Sequence, residues 1–161
     1  MPWKNRFITR NFDIVSEASS DFDYPLMIFK NETCKCFFKS DKKFNLPHGF
    51  INIHFKSNLV EKSTQNINMT AVYSMCVKKF LSEKLFSAIV VGYVYKLYAV
   101  EDGMILKLSG LSEKLPLLVK TITRAMQNVD NVIDYFSFEI YRKELKKNCY
   151  SFIINSNQFI E

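Results

Sequence analysis

FNLPHGFINIHFKSNLVEKSTQNINMTAVYSMCVKKFLSEKLFSAIVVGYVYKLYAVEDGMILKLSGLSEKLPLLVK, residues Phe44 to Lys120, decides the fold. It opens with an alternation. Ile51, Ile53 and Phe55 share one face and Asn52, His54 and Lys56 the other. That period of two predicts a half-buried antiparallel strand over Gly49–Lys56. Ser57 to Lys62 reads as a connection. From Ser63 the period changes. Met69, Val72, Tyr73, Cys76 and Phe80 form one stripe of an amphipathic helix. The helical pattern continues to about Gly92, with a restart near Ser82, which can cap a second segment with Glu83 in its first turn. Leu85, Ala88 and Ile89 carry the apolar face onward, and Gly92 is the predicted stop. Tyr93–Val100 and Met104–Ser109 then face each other across Glu101-Asp102-Gly103. An Asp-Gly pair between alternating apolar runs is a strong hairpin signal. Ser112 and Glu113 open the next helix, with Pro116 in its first turns, where a missing N–H costs least. Its buried stripe is Leu115, Leu118, Val119, Ile122 and Met126.

The flanks complete one unit. Residues 1–23 have no sustained period and read as an extended lead-in, strapped across a surface by Trp3, Phe7, Ile8 and Phe12. Tyr24–Lys30 and Thr33–Lys39 are two strands joined by a turn at Asn31-Glu32. A last helix spans Val129 to about Lys147, capped by Asp130, with Val129, Ile133, Phe136 and Ile140 as its stripe. The order is β-β-β-α-β-β-α-α. Runs of antiparallel strand with helices gathered on one face define an α+β domain.

Composition fits one soluble domain. A chain of 161 residues, 15 of them Phe and 8 Tyr, has ample material for a core. The net charge of +6 is spread along the chain. Its densest group, Arg142, Lys143, Lys146 and Lys147, sits beside Glu139 and Glu144 and reads as a solvated helix face, which argues against a nucleic-acid groove. There is no apolar run of membrane-spanning length and no apolar stretch near Met1, so neither a membrane span nor a secretory signal is expected. The four cysteines, Cys34, Cys36, Cys76 and Cys149, do not form a disulfide framework, and a reducing, cytoplasmic setting is expected.

Chemistry is sparse. His48 and His54 are the only histidines. They share strand parity, and with Cys34 or Cys36 they could in principle complete a tetrahedral zinc site, but neither paired Cys-x-x-Cys nor helical His-x-x-x-His spacing is present. Cys34-Lys35-Cys36 could be redox active, although strand cysteines are more often buried or half-buried packing groups. Glu101 and Asp102 are adjacent carboxylates explained by turn chemistry. No phosphate-binding glycine loop and no nucleophile elbow occurs. The expectation is therefore no catalytic, cofactor-binding or metal-ligating residue.

A longer pattern carries more information. Pro2-x-x-Asn5-x-Phe7-Ile8 with Phe12, Tyr24-Pro25, Phe44-x-Leu46-Pro47, the strand Ile51–Phe55, Tyr95-Lys96-Leu97, Gly103-Met104 to Gly110, Leu115-Pro116-Leu117-Leu118 and Glu144-Leu145-Lys146-Lys147 run collinearly over nearly the whole chain. Together they resemble the middle, or third, domain of the insulysin and nardilysin branch of the pitrilysin-type zinc metalloendopeptidases, nearest its nardilysin side. The resemblance implies a metallopeptidase-like fold, one of four related domains around an enclosed chamber. It places the zinc on an inverted His-x-x-Glu-His motif of the first domain. That motif is absent here, so the resemblance carries over no zinc ligand, no general base and no other site residue. It implies other peptidase domains or a full-length relative as partners, a peptide substrate for the parent enzyme only, and neither nucleic acid nor membrane. It also implies that residues 24–161 form a single, C-terminally truncated middle domain behind the lead-in. A free-standing module that associates with a full-length peptidase is the alternative.

Overall fold

The structure, a computed structural model, describes residues 4–14, 24–41, 44, 46–128 and 133–154. Strands β1 (Leu26–Lys30) and β2 (Lys35–Phe38) form a hairpin of their own. Strands β3 (His48–Lys56), β4 (Val94–Val100) and β5 (Gly103–Leu111) form a second antiparallel sheet in the order β3-β5-β4. Between β3 and β4 lie helices α1 (Asn58–Glu61), α2 (Thr64–Lys84) and α3 (Phe86–Val90). After β5, a 3₁₀ turn at Ser112–Lys114 leads into α4 (Leu115–Gln127), and α5 (Tyr135–Ile154) follows. The α+β expectation holds, with the strands divided between two sheets.

Register decides what is buried. Ile51 faces Leu108, which faces Tyr95, and Ile53 faces Leu106, which faces Leu97. These rows form the helix-covered face. Leu106, Leu108 and Leu97 are almost wholly buried there with Val77, Leu81 and Leu85 from the α2–α3 region and Leu115, Leu118 and Ile122 of α4. α5 packs against α2. The segment Ser57 to Lys62, expected as a connection, contains the short α1. Ser63 caps α2 by accepting the Asn66 N–H. Ser82 caps nothing. Its hydroxyl donates back to the Lys79 carbonyl, and the helix breaks at Leu85 instead. Gly92, at φ +92°, ends α3 with the paired Tyr93 N–H to Ala88 and Gly92 N–H to Ile89 bonds of a Schellman turn.

Residues 4–14 of the lead-in form a strap held by one of the expected anchors, Phe7. Phe7 is 1% exposed, whereas Ile8 and Phe12 are 50% and 57% exposed; Trp3 lies outside the described residues. A turn at residues 6 and 7, closed by the Ile8 N–H to Asn5 carbonyl bond, brings Asn5, Phe7 and Thr9 against the domain. Asn5 donates to the Ser87 carbonyl (2.7 Å), Phe7 packs on the Tyr93 ring, and the Thr9 and Tyr93 hydroxyls meet at 2.9 Å. Tyr93 in turn donates to the Leu111 carbonyl at 3.1 Å.

Glu113 holds the next two residues of the strap. It accepts the Arg10 and Asn11 backbone N–H groups at 2.7 and 3.0 Å. The Lys114 ammonium and those two amides pull its carboxyl down from 4.5 to about 2. A depressed carboxylate contributes stability that is fully present above its unfolded pKa and is lost as pH falls through the folded one. The Arg10 and Asn11 amide resonances therefore move together with a midpoint of about 2 in an NMR pH titration. Glu113→Gln abolishes that titration. A midpoint near 4.5 would mean that the carboxylate does not hold the strap.

Candidate interaction surface

The sheet face opposite the helices carries the two histidines. Both sit on β3, six residues apart, which is about 20 Å along a strand and far beyond any shared ligand sphere. His48 packs its ring on Phe50. His54 meets Asp102 at 2.8 Å, and Lys56 meets the other Asp102 oxygen at the same distance. Lys56, then His54, hold the Asp102 carboxyl below its usual range, and Asp102 raises Lys56 in return. The cluster ties the end of β3 to the β4–β5 turn, reinforced by the Ser57 N–H to Asp102 carbonyl bond. It is a structural clasp.

Cys34 and Cys36 lie at the β1–β2 hairpin, remote in sequence and sheet from either histidine. Both are exposed, not buried or half-buried as the strand reading expected. The reason is that the hairpin stands apart from the main sheet and has sparse contacts with the rest of the described fold. Among the described residues no group of His, Cys, Asp and Glu is placed to hold a metal ion. The histidines and cysteines of this chain do not fit a zinc site.

What the chain does present is apolar surface. Phe29 stands opposite Cys36 and Phe37 opposite Met27, so both faces of the hairpin carry large apolar groups. Met27, Ile28, Phe29, Phe37 and Phe38 are each at least half exposed. A two-stranded ribbon cannot bury such groups on itself. The Asn31 side chain accepts the Thr33 and Cys34 N–H groups and shapes the tight end of this ribbon.

A second apolar surface lies between α2 and α5. A groove of about 740 Å³ runs past Met69, Val72, Phe138, Leu145 and Tyr150. Its existence follows from the face that α5 turns inward. The expected stripe of Phe136 and Ile140 is exposed (71% and 46%), and Ser137, Phe138, Glu139, Tyr141 and Leu145 are the half-buried residues. Asp134 caps the start of α5 through the Ser137 N–H; the expected cap Asp130 and the stripe residue Val129 lie outside the described residues. Ile133 does pack against the core, as expected. Met69, expected in the α2 stripe, is half exposed in the groove wall. The signal for this surface in the sequence is excess. α5 carries apolar residues on several faces, more than one contact with α2 can cover.

The fold belongs to a known class. It superposes on a crystal structure of pitrilysin with a TM-score of 0.85 over 97% of this chain and 16% of that one, at 16% identity. Residues 1–160 match the family described as the middle or third domain of peptidase M16, and the chain belongs to that family. It is 32% identical over 152 residues to insulin-degrading enzyme of Bos taurus, covering 94% of this chain and 15% of that enzyme. It is 28% identical over 158 residues to nardilysin of Homo sapiens, covering 96% of this chain and 13% of that protein. The chain thus spans about one seventh of the length of these relatives. The expected resemblance to the insulysin and nardilysin proteins is thus found, at similar identity to both. Among the described residues, no helix is long and apolar enough to cross a membrane.

Proposed function

We propose that this chain is a non-catalytic middle domain of a nardilysin-like zinc metalloendopeptidase, serving as chamber wall and as scaffold between neighbouring domains. The observation that carries this reading is the collinear match of residues 1–160 to the middle domain of that family. On this reading the chain supplies neither a zinc ligand nor a group that acts on a peptide bond. Catalysis, the metal and the peptide substrate belong to other parts of the parent enzyme. The exposed Phe29, Phe37 and Phe38 and the α2–α5 groove are the faces that the neighbouring domains cover. Four free cysteines, three of them exposed, suit a reducing compartment such as the cytoplasm.

The test is assembly. The chain is co-expressed with the remaining domains of an insulysin-type peptidase whose own middle segment has been removed. A single complex that recovers peptide cleavage is the expected result. Failure to associate removes the scaffold reading. Association with an intact full-length peptidase, but not with the gapped one, would replace it with the free-standing module.

A further inference from the structure

The groove between α2 and α5 has two unlike rims above its apolar floor of Met69, Val72, Phe138 and Leu145. Along α2 the rim is neutral, with Thr64, Gln65 and Asn68. Along α5 it is cationic, with Arg142 and Lys146 one helical turn apart. Arg142 donates one guanidinium N–H to Glu139 at 2.8 Å, which leaves further donors of the same planar group for another carboxylate. Lys146 lies over the Tyr150 ring at 5.8 Å and, among the described residues, forms no ion pair. Like charges at that spacing repel, so an acidic group set above the α5 rim relieves them.

The shape selects a helix. Both walls are helices, whose backbone N–H and C=O groups bond internally, so the groove offers no strand edge to an extended peptide. From Phe138 to Tyr150 the α5 wall measures about 18 Å, the length of a helix of about three turns. A helix of that length and about 10 Å across encloses about 1,400 Å³, so a groove of about 740 Å³ seats about half of it. A second copy of this chain fits poorly. A twofold contact through the same face sets the cationic rim against another cationic rim or a neutral one, and the described lining residues supply no carboxylate.

We propose that the groove seats one amphipathic helix of a neighbouring peptidase domain, apolar along the stripe that meets the floor and acidic along the flank that meets Arg142 and Lys146. This rests on the scaffold reading and adds the chemistry and orientation of the partner element. The apolar stripe supplies the contact area. The acidic flank sets the direction of the helix, because end-for-end reversal would carry its carboxylates over to the neutral α2 rim.

Fluorescence anisotropy of a labelled helical peptide titrated with the 161-residue chain tests this. The peptide carries leucine along one stripe and glutamate along one flank; a second peptide carries lysine on that flank. Saturable one-to-one binding of the glutamate peptide is expected, with the lysine peptide at least about 10-fold weaker. Arg142→Glu with Lys146→Glu inverts that preference. Lys143→Glu with Lys147→Glu, the same change in net charge on the same helix but outside the groove lining, alters it less than about 2-fold. Circular dichroism confirms that each variant is folded; where the reversal is not, Arg142→Gln with Lys146→Gln replaces it and removes the preference. Equal binding of the two peptides, equal effects of the two reversals, or no binding at millimolar peptide overturns the proposal. A chain ending at Ile154 that binds more tightly assigns the groove to residues 155–161, and dimerisation that the peptide abolishes assigns it to a second copy; either result also overturns it. Co-expression with the gapped peptidase separates this proposal from the scaffold reading. Cleavage restored equally with and without the Arg142→Glu/Lys146→Glu reversal refutes the helix seat and keeps the scaffold. Peptide binding without assembly refutes the scaffold and, with it, the neighbouring domain as source of the helix.

Discussion

Gly103→Ala destabilises the domain by about 3 to 5 kcal/mol. Gly103 opens β5 and lies directly opposite Lys56 of β3 and Val100 of β4, at φ +148°. A side chain there meets the Phe55 carbonyl oxygen, which is backbone and cannot swing aside. Two costs therefore add: a φ that L-residues rarely adopt, and a clash relieved only by parting β3 from β5. β5 is the central strand, so parting it disturbs Leu106 and Leu108 in the middle of the core. Gly92→Ala is the matching control. It has a positive φ of +92° but open space around the added carbon, so only the conformational cost of about 1 to 2 kcal/mol remains. Urea unfolding reads both, as a fall in midpoint with little change in slope. A Gly103→Ala midpoint no lower than that of Gly92→Ala would contradict the described strand register.

Replacing Phe29, Phe37 and Phe38 with serine has the opposite profile: little change in the stability of the isolated chain and a large loss of assembly. All three side chains are at least half exposed already, so their removal costs the fold within about 0.5 kcal/mol per site. Burying a Phe in an interface contributes about 1.5 to 3 kcal/mol. Losing three weakens association with the remaining peptidase domains by about a thousandfold or more. The triple variant also lowers dye binding and self-association of the chain alone, because the exposed apolar ribbon is the feature that drives both. Analytical ultracentrifugation across a concentration series measures this. A triple variant that assembles as well as the parent would mean that the hairpin is not an interdomain face.

The parts of the fold that were legible in sequence are those with one unambiguous period. β3 alternates strictly, and its Ile51, Ile53 and Phe55 are the residues packed toward the core. The α4 stripe reads correctly because its other face is polar: Leu115, Leu118 and Ile122 are buried, and Val119 and Met126 lie against them. Asp102-Gly103 marked the hairpin turn, which α+β topology then required to be antiparallel. α5 defeated the same method. Phe136, Phe138, Ile140, Tyr141 and Leu145 offer more than one stripe, and only the contact with α2 selects the face. The strap was equally opaque. Phe7, Ile8 and Phe12 look equivalent in sequence, and only the contact with the Tyr93 ring, beside the Asn5 bond to the Ser87 carbonyl, singles out Phe7. The isolation of the β1–β2 hairpin is a tertiary fact with no local signal, and the exposure of Cys34 and Cys36 follows from it.

The most direct measurement is zinc content and peptide cleavage by the purified 161-residue chain, assayed together with added zinc. The account predicts no stoichiometric zinc and no turnover, because His48 and His54 sit about 20 Å apart on one strand and His54 is engaged with Asp102. Zinc bound one-to-one, with zinc-dependent cleavage that disappears in His48→Ala/His54→Ala, would contradict it.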